Sequence, residues 1–167
     1  PKQLKKIKPF LQRARETESK FPQIAYYCCK YAATLGTEIV KGGGVGKECT
    51  QFLMALLDGL DASKKALGQM SDDQGQSQIL AFAMKIFKRA DDKYRNGNAD
   101  KMTGKALYAA GNFLTVLKQF GPMDKKLDNL RKYALISASR ILKALRLGQR
   151  PMPPDDDAPA SNNNNNT

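Results

Sequence analysis

Apolar side chains recur every three or four residues in six stretches of this chain, and glycine or proline stands near the ends of each stretch. This spacing places the apolar side chains on one face of an α-helix. Glycine adopts the backbone conformation that ends a helix and proline cannot continue one, so the stretches are separate helices. The predicted helices span residues 4–20, 22–36, 47–67, 78–95, 99–120 and 124–147. The sequence therefore predicts an all-α protein with six or seven helices, arranged as two antiparallel three-helix bundles.

Prolines and glycines also set individual helix ends. We expect the first helix to fray before Pro9, because proline fits only the first turn of a helix. Pro22 suits the opening turn of the second helix and Gly36 its end. These residues predict a short first helix and a glycine-rich loop after the second.

A polar segment separates the third predicted helix from the fourth. Residues 69–77 are rich in Asp, Gln, Gly and Ser, which is typical of a connector. We therefore expect a first three-helix module at residues 1–68 and a second at residues 78–150. From Pro151 the composition changes to Pro, Asp, Ala and Asn, which offer little apolar surface to offset the entropy lost on ordering. Residues 151–167 are predicted to be disordered, as a linker to a further domain.

The composition restricts partners and location. With 28 Lys and Arg against 16 Asp and Glu, the net charge is +12. Such an excess favours an anionic partner, which leaves nucleic acid, acidic lipid and acidic peptide open. The three cysteines show no disulfide framework, so we interpret them as small core residues in a reducing compartment. No apolar stretch is long enough for a membrane span.

The residues that most enzymes and metal sites need are missing. The chain has no His, and its cysteines lack C-x-x-C spacing, so we expect no histidine-dependent catalysis and no zinc-type site. Residues 42–47 read GGGVGK and resemble a phosphate-binding loop, but Lys41 and Glu48 stand where that motif needs Gly and Ser or Thr. The acidic pairs lack the spacing of a calcium loop. The sequence therefore predicts a protein that is not an enzyme and holds no metal or cofactor.

Several apolar side chains lie off the buried stripes of the first module. A row of such side chains on neighbouring helices is what the docking of a partner helix requires. We predict a groove between the second and third helices, with lysines beside it for acidic residues of the partner. The predicted residues are Tyr26, Cys29, Leu53 and Leu57 for the apolar contacts, and Lys30 and Lys64 for the charged ones.

The second module has off-stripe residues of its own, namely Tyr108, Tyr133 and Ile136. These residues fit a second partner-binding face and fit packing between the two bundles equally well, so both interpretations stay open. The basic cluster at Lys2, Lys5, Lys6 and Lys8 fits contact with phosphates or lipid headgroups. A solvated helix face explains it as well.

Three runs of sequence together resemble a known family. They are AYYCCKYAATLG, KRADDKYRNGNADKMTGKALYAAGNFLTVLKQFGP, and RKYALISASRILKAL followed by Gly-Gln-x-Pro-x-Pro. In order and spacing they are similar to the N-terminal domain of the Vta-one (Vta1) family, whose animal and plant members are called LYST-interacting protein five. The resemblance covers residues 4 to about 153. The chain differs from the family pattern in the loop at Gly42–Gly46, at Tyr94, and at Ile136, where the family usually has Trp.

This resemblance implies a tandem pair of microtubule-interacting and trafficking (MIT) modules. Such modules bind C-terminal helices of ESCRT-III subunits, here of the Did-two and Vps-sixty types. A separate C-terminal domain of the family, outside this chain, binds and activates the Vps-four AAA ATPase in multivesicular body sorting. The implied location is cytoplasmic and peripheral on the endosomal membrane, through partners.

The alternative is a basic all-helical module that binds nucleic acid. Its basic residues are spread over every helix, however, and no aromatic residues are interleaved with them for base stacking. Direct nucleic-acid binding is therefore not expected.

Overall fold

The structure, a computed structural model, describes residues 1–159. Over that range it contains six α-helices, two short 3-10 helices and no strand, which confirms the predicted all-α class. The α-helices are α1 (Lys8–Thr17), α2 (Pro22–Lys41), α3 (Lys47–Leu67), α4 (Asp72–Arg95), α5 (Lys101–Val116) and α6 (Lys125–Arg146). The 3-10 helices are Lys2–Ile7 and Leu117–Phe120.

The chain divides into two compact units, one ending at Gln78 and one beginning at Ile79. The first unit contains α1, α2 and α3, and the second contains most of α4 with α5 and α6. The division lies within α4, so the predicted connector at residues 69–77 is helical from Asp72 onward.

In the first unit α2 is the central helix, and α1 and α3 each pack against it. Phe10 of α1 meets Tyr31 of α2 edge to face, with ring centroids 4.8 Å apart. The 3-10 helix before α1 buries Leu4 and Ile7. Pro9 lies in the first turn of α1, as predicted. The residues before it do not fray but form the 3-10 helix.

The predicted end of α2 at Gly36 is wrong, because the helix continues to Lys41. Gly36 is a packing residue and not a cap: a Cβ there would lie 3.1 Å from Leu53 Cδ1. The lack of a side chain lets α3 approach α2 closely. The loop that follows has left-handed backbone at Gly43 and Gly44.

The fourth helix begins at Asp72, before the predicted start near residue 78. Gly75 again has a packing role, since a Cβ there would overlap the ring of Tyr27. The Tyr27 hydroxyl donates a hydrogen bond to Asp72 Oδ1 at 3.1 Å. Residues 72–77 are therefore helical where they contact Tyr27, although their composition is typical of a loop.

In the second unit α5 and α6 pack closely through two glycines of α5. A Cβ at Gly111 would lie 2.5 Å from Leu135 Cδ2, and one at Gly104 would lie 2.9 Å from Leu142 Cδ2. Glycines seven residues apart share a helix face, so this face of α5 is flat enough for the leucines of α6. On the side of α4, Phe82 contacts Phe113 edge to face with centroids 5.0 Å apart.

Asp100 caps α5 and fixes its start. The carboxylate accepts a hydrogen bond from Thr103 N at 2.7 Å, and the Thr103 hydroxyl accepts one from Asp100 N, which forms a capping box. The hydrogen bond from the Thr103 backbone lowers the pKa of Asp100. The observed ends of α5 and α6 lie within a few residues of the predicted ones. Gly97, before α5, and Gly121, before α6, both have left-handed backbone.

The segment after α6 contacts the helices of its own unit, although disorder was predicted from residue 151 onward. Pro151 is buried, and Arg150 Nη2 donates to the Gly97 carbonyl at 3.1 Å. Farther along, Arg95 Nη2 donates to the carbonyls of Ala158 at 3.2 Å and Pro159 at 2.7 Å. An extended proline-containing segment needs no core of its own when a folded neighbour satisfies its carbonyls. We call residues 150–159 the exit segment; the predicted disorder of residues 160–167 lies outside the described residues.

Candidate partner-binding site

An apolar groove of about 500 Å³ runs along the first unit between α1 and α3, with α2 as its floor. It arises because α1 and α3 both pack on α2 and leave a gap between them. Many of the side chains that line it are small: Ala14, Ala25, Ala55, Gly59, Ser63 and Ala66. Its larger apolar lining side chains are Leu11, Tyr26, Phe52, Leu56, Leu60 and Leu67. We call this surface the α1–α3 groove.

The groove has the dimensions of an α-helix. Its lining on α3 extends from Phe52 to Leu67, which at 1.5 Å per residue is roughly 22 Å. Small side chains along α3, such as Ala55, Gly59 and Ser63, let the axis of a docking helix approach to about 8–10 Å. The Phe52 side chain is 38% exposed. An amphipathic helix of about four turns is therefore the ligand whose shape fits best.

The structure separates the residues that were predicted to form one groove. Tyr26 and Cys29 line the α1–α3 groove. Leu53 is buried beneath it, in a cluster with Ala33 and Leu60. Leu57 is 42% exposed, but it follows the groove residue Leu56, and successive helix positions point about 100° apart. Leu57 therefore points away from the groove.

Sequence reasoning missed the groove residues Phe52, Leu56 and Leu60 of α3. They line the groove because α1 stops short of α3. The apolar stripe on α3 was the available signal, but nothing in it indicates which part is left uncovered by the neighbouring helices.

Lys30 and Lys64 lie together in a second, more polar depression of about 740 Å³, which Tyr26 and Tyr27 also line. Lys30 Nζ is 3.9 Å from Asp72 Oδ1 and 5.7 Å from the centroid of the Tyr27 ring. Burial, followed by the hydrogen bond to Asp72, raises the pKa of Tyr27 to about 12. Lys30 is therefore already partly neutralised within the chain, whereas Lys64 is exposed.

Two cysteines of the first unit, Cys28 and Cys29, have raised pKa values. Burial raises the pKa of Cys28 to about 12 and also raises the pKa of the half-buried Cys29. A thiol that is protonated at neutral pH is a weak nucleophile and a weak metal ligand. Cys29 therefore contributes an apolar surface to the groove.

In the second unit the three predicted residues have different environments. Tyr108 is 38% exposed and Ile136 is 52% exposed. Tyr133 is half-buried, and its hydroxyl donates to Asp91 Oδ1 at 2.6 Å. Burial, with the hydrogen bond to Asp91, raises the pKa of Tyr133. The structure therefore leaves two of the three side chains available at the surface.

Asp91 is the centre of a buried polar network that sequence reasoning missed. Only 3% of the residue is exposed, and its second oxygen accepts a hydrogen bond from Arg95 Nε at 2.7 Å. The Arg95 guanidinium lies 5.7 Å from the centroid of the Tyr133 ring and also holds the exit segment. We call Asp91, Arg95 and Tyr133 the Asp91 network; it ties α4, α6 and the exit segment together.

Between residues 1 and 159 no group of three or more Cys, Asp or Glu side chains is arranged to hold a metal ion. No helix in that range is long and apolar enough to cross a membrane.

A family profile and several relatives that resemble this chain carry names of the same family. The profile of the family described as "Vta1 like" matches residues 6–147. A relative from Arabidopsis thaliana, named as a homologue of mammalian LYST-interacting protein 5, is 38% identical over 147 residues, which is 88% of this chain and 34% of that protein. The vacuolar protein sorting-associated protein VTA1 homologue of Dictyostelium discoideum is 33% identical over 156 residues, covering 92% of this chain and 28% of that protein. The Homo sapiens protein of the same name is 34% identical over 155 residues, covering 90% and 50%. The chain thus spans half or less of the length of these relatives.

Proposed function

The chain belongs to the Vta1-like family, and we propose that it is the part of a vacuolar-sorting regulator that binds the C-terminal helices of ESCRT-III subunits. Relatives in Dictyostelium discoideum and Homo sapiens are named as vacuolar protein sorting-associated proteins. On this proposal each unit is an MIT module, and the chain works by binding and not by catalysis. It acts in the cytoplasm and reaches the endosomal membrane through its partners during multivesicular body sorting. Family membership does not favour the nucleic-acid alternative.

The α1–α3 groove is the observation that carries this proposal. A groove lined by both small residues and large apolar residues accepts the apolar face of a helix. The small residues permit close approach, and the large ones provide the apolar area that drives association. A C-terminal tail that becomes helical on binding matches both features.

Charged residues beside the groove favour a partner with both signs of charge. Arg15 and Glu18 of α1 belong to its lining. Lys64 of α3 lies in the neighbouring polar depression, which shares Tyr26 with the groove. We propose that Lys64 receives acidic residues of the tail, and that Lys30 does so when its contact with Asp72 is exchanged. Micromolar affinity, near −8 kcal/mol, is expected for one helix in a groove of this size.

The test compares two exposed apolar residues of the same helix. Phe52 lines the groove and is 38% exposed, whereas Leu57 points away from it and is 42% exposed. Each is replaced by Asp, and binding of labelled C-terminal peptides from a panel of ESCRT-III subunits is measured by fluorescence anisotropy. Burial of an anchor contributes about 1.5–3 kcal/mol, so Phe52→Asp should weaken binding by roughly ten- to a hundred-fold. Leu57→Asp should bind like the parent.

The outcomes separate the possible sites. If Leu57→Asp loses binding and Phe52→Asp does not, the tail docks on the other side of α3, where the sequence alone had placed it with Leu57. If no peptide of the panel binds the parent chain, the proposed function is wrong. Thermal melting of both variants shows whether a loss of binding comes from unfolding.

A second, independent site is proposed on the second unit, for a subunit of the Vps-sixty type. Exposed Tyr108 and Ile136 support it, because their apolar surface is not used by the core. Tyr133 is replaced in a separate variant, since its hydroxyl is bonded to Asp91. Ile136→Ser should weaken tail binding without lowering the melting temperature, and Tyr133→Ser should lower the melting temperature. Retained binding in both Ile136→Ser and Tyr108→Ser would contradict the second site.

Recruitment and activation of the Vps-four ATPase, by the separate domain that the resemblance implies, is a proposed activity of the whole protein. In this proposal the chain supplies recognition of ESCRT-III. A chain that binds ESCRT-III tails but does not alter ATPase activity on its own would agree with this division of roles.

A further inference from the structure

Six exposed lysines lie at one end of the first unit, where four elements meet. They are Lys2, Lys5 and Lys6 of the first 3-10 helix, Lys8 at the start of α1, Lys41 at the end of α2 and Lys47 at the start of α3. We call this surface the lysine end. The acidic side chains nearest in sequence are Glu38 and Glu48, so six positive charges less two negative charges leave an excess of four.

Core contacts hold the lysine end in place. Leu4 and Ile7 alternate with the lysines of the 3-10 helix and are buried. Ile7 Cδ1 lies 3.9 Å from the Cβ position of Gly36 in α2. The Cys49 thiol in the first turn of α3 lies 3.6 Å from Gln3 Oε1. The lysines therefore form one fixed surface of the folded unit.

The charges of the lysine end are not used inside the chain. None of the six lysines forms an ion pair with another described residue, whereas Lys30, Lys93 and Lys132 elsewhere do. Several unpaired like charges near one another repel, and an anionic surface relieves that repulsion. Nothing in the fold requires lysine at these exposed positions.

We propose that the lysine end binds the surface of an anionic membrane directly. This goes beyond tail binding by the grooves and does not depend on it. The patch consists of lysines without arginine, and an ammonium group acts as a point charge that suits a layer of headgroups more than paired recognition of a single phosphate. Phe10, the aromatic residue closest to these lysines in sequence, is buried, so stacking on nucleic-acid bases has no support here. Clusters of four to eight lysines are the size that acidic lipid surfaces attract.

The test measures binding of the full chain to vesicles. Flotation is carried out with phosphatidylcholine vesicles, with and without phosphatidylserine, at low and high salt. The parent chain should bind only the vesicles that contain phosphatidylserine, and high salt should release it. The test variant replaces four lysines with Gln: Lys2, Lys5, Lys6 and Lys8. It should partition at least about tenfold more weakly, since each lysine near an anionic surface adds to the attraction.

A matched control removes the same charge elsewhere. It replaces four exposed lysines of the second unit with Gln: Lys85, Lys88, Lys101 and Lys105. This control should retain most of the binding, because its lysines lie outside the lysine end. A second test variant, Lys41→Gln with Lys47→Gln, leaves the 3-10 helix unchanged and should also bind more weakly. Because all these side chains are exposed, melting temperatures should match that of the parent.

Five results would overturn the proposal. The first four are unchanged binding in both test variants, an equal loss in the control, equal binding to neutral vesicles, and release by inorganic phosphate at matched ionic strength. Release by phosphate would indicate a site for a free anion. A duplex oligonucleotide is tested at the same salt; if it binds more tightly than the vesicles and only the test variants lose that binding, the lysine end is a nucleic-acid site instead.

Discussion

The two units contain the same number of long helices but fill the spaces between them differently. In the first unit α1 and α3 pack on α2 and leave the α1–α3 groove open. In the second unit the glycines of α5 let α6 pack tightly, and the exit segment covers the ends of α4 and α6. Helix count therefore does not determine whether a bundle offers a groove. The sizes of the side chains at the helix contacts and the path of the flanking segment determine it.

The units also differ in where they place polar groups. In both, a tyrosine hydroxyl donates to an aspartate of α4: Tyr27 to Asp72 in the first and Tyr133 to Asp91 in the second. Asp72 is exposed, whereas Asp91 is buried and holds Arg95 as well. The tyrosine–aspartate contact is therefore part of a buried polar network in the second unit, whereas in the first unit it lies at an exposed carboxylate. The following variants test this contrast, starting with the largest expected effect.

Asp91→Ala should destabilise the second unit by about 2–4 kcal/mol, because it leaves the Tyr133 hydroxyl and the Arg95 guanidinium without their buried partner. Urea denaturation measures the loss. The neighbouring Asp92 is exposed, so Asp92→Ala is the matched control and should change stability little. Equal stability of the two variants would show that the Asp91 network does not stabilise the unit.

Gly111→Ala should destabilise the protein by about 1–2 kcal/mol. The added Cβ would lie 2.5 Å from Leu135 Cδ2 and 2.7 Å from its Cγ, so α6 must shift, and overpacking of this kind outweighs the better helix propensity of Ala. Thermal melting is the measurement. A stabilised variant would mean that α5 and α6 have room to separate.

Gly59→Ala should have the opposite effect on stability. Gly59 lies within α3 and a Cβ there has no neighbour within 4 Å, so Ala should stabilise the helix by about 0.5–1 kcal/mol. Because Gly59 lines the groove, the same methyl group should weaken tail binding, by about tenfold if it blocks close approach of a docked helix. Anisotropy and melting on one sample measure both. Stabilisation without any change in affinity would place the tail elsewhere.

Alkaline pH should destabilise the second unit through Tyr133. The folded protein raises the pKa of this tyrosine, so it holds the proton more tightly than the unfolded chain does. The stabilisation is therefore fully present below the ordinary tyrosine pKa of about 10 and is lost as pH rises above it. Tyr133→Phe should be less stable at pH 8 and show a smaller further loss towards pH 11, measured by urea midpoints. Tyr108→Phe, an exposed control, should follow the parent.

The sequence predicted the helices because their apolar stripes are local features. It assigned Gly36 to a helix end and Gly75 to a connector. A sequence pattern does not distinguish such glycines from those that make room for a neighbouring side chain, here Leu53 and Tyr27. Sequence reasoning placed Leu53 among the groove residues, although Leu53 is buried, and it missed Phe52, Leu56 and Leu60, which line the groove. Which part of an apolar stripe stays uncovered depends on where the neighbouring helix stops.

The sequence did not predict the long-range polar contacts either. The sequence left Tyr133 open between a partner-binding face and packing between the two bundles. It did not predict the hydrogen bond to Asp91, which lies 42 positions away in the chain. Composition likewise predicted disorder from Pro151, because it contains no information about the carbonyl acceptors that Arg95 and Arg150 find there.

The exit segment has a further consequence for any chain that continues beyond it. Its carbonyls are held by Arg95, so such a chain starts beside the end of α4 and not from the last turn of α6. The reach of a flexible tether grows with the square root of its free residues. Residues bound along the second unit add nothing to that reach. Anchoring the exit segment therefore shortens the tether and raises the effective concentration, near the second unit, of whatever the tether carries.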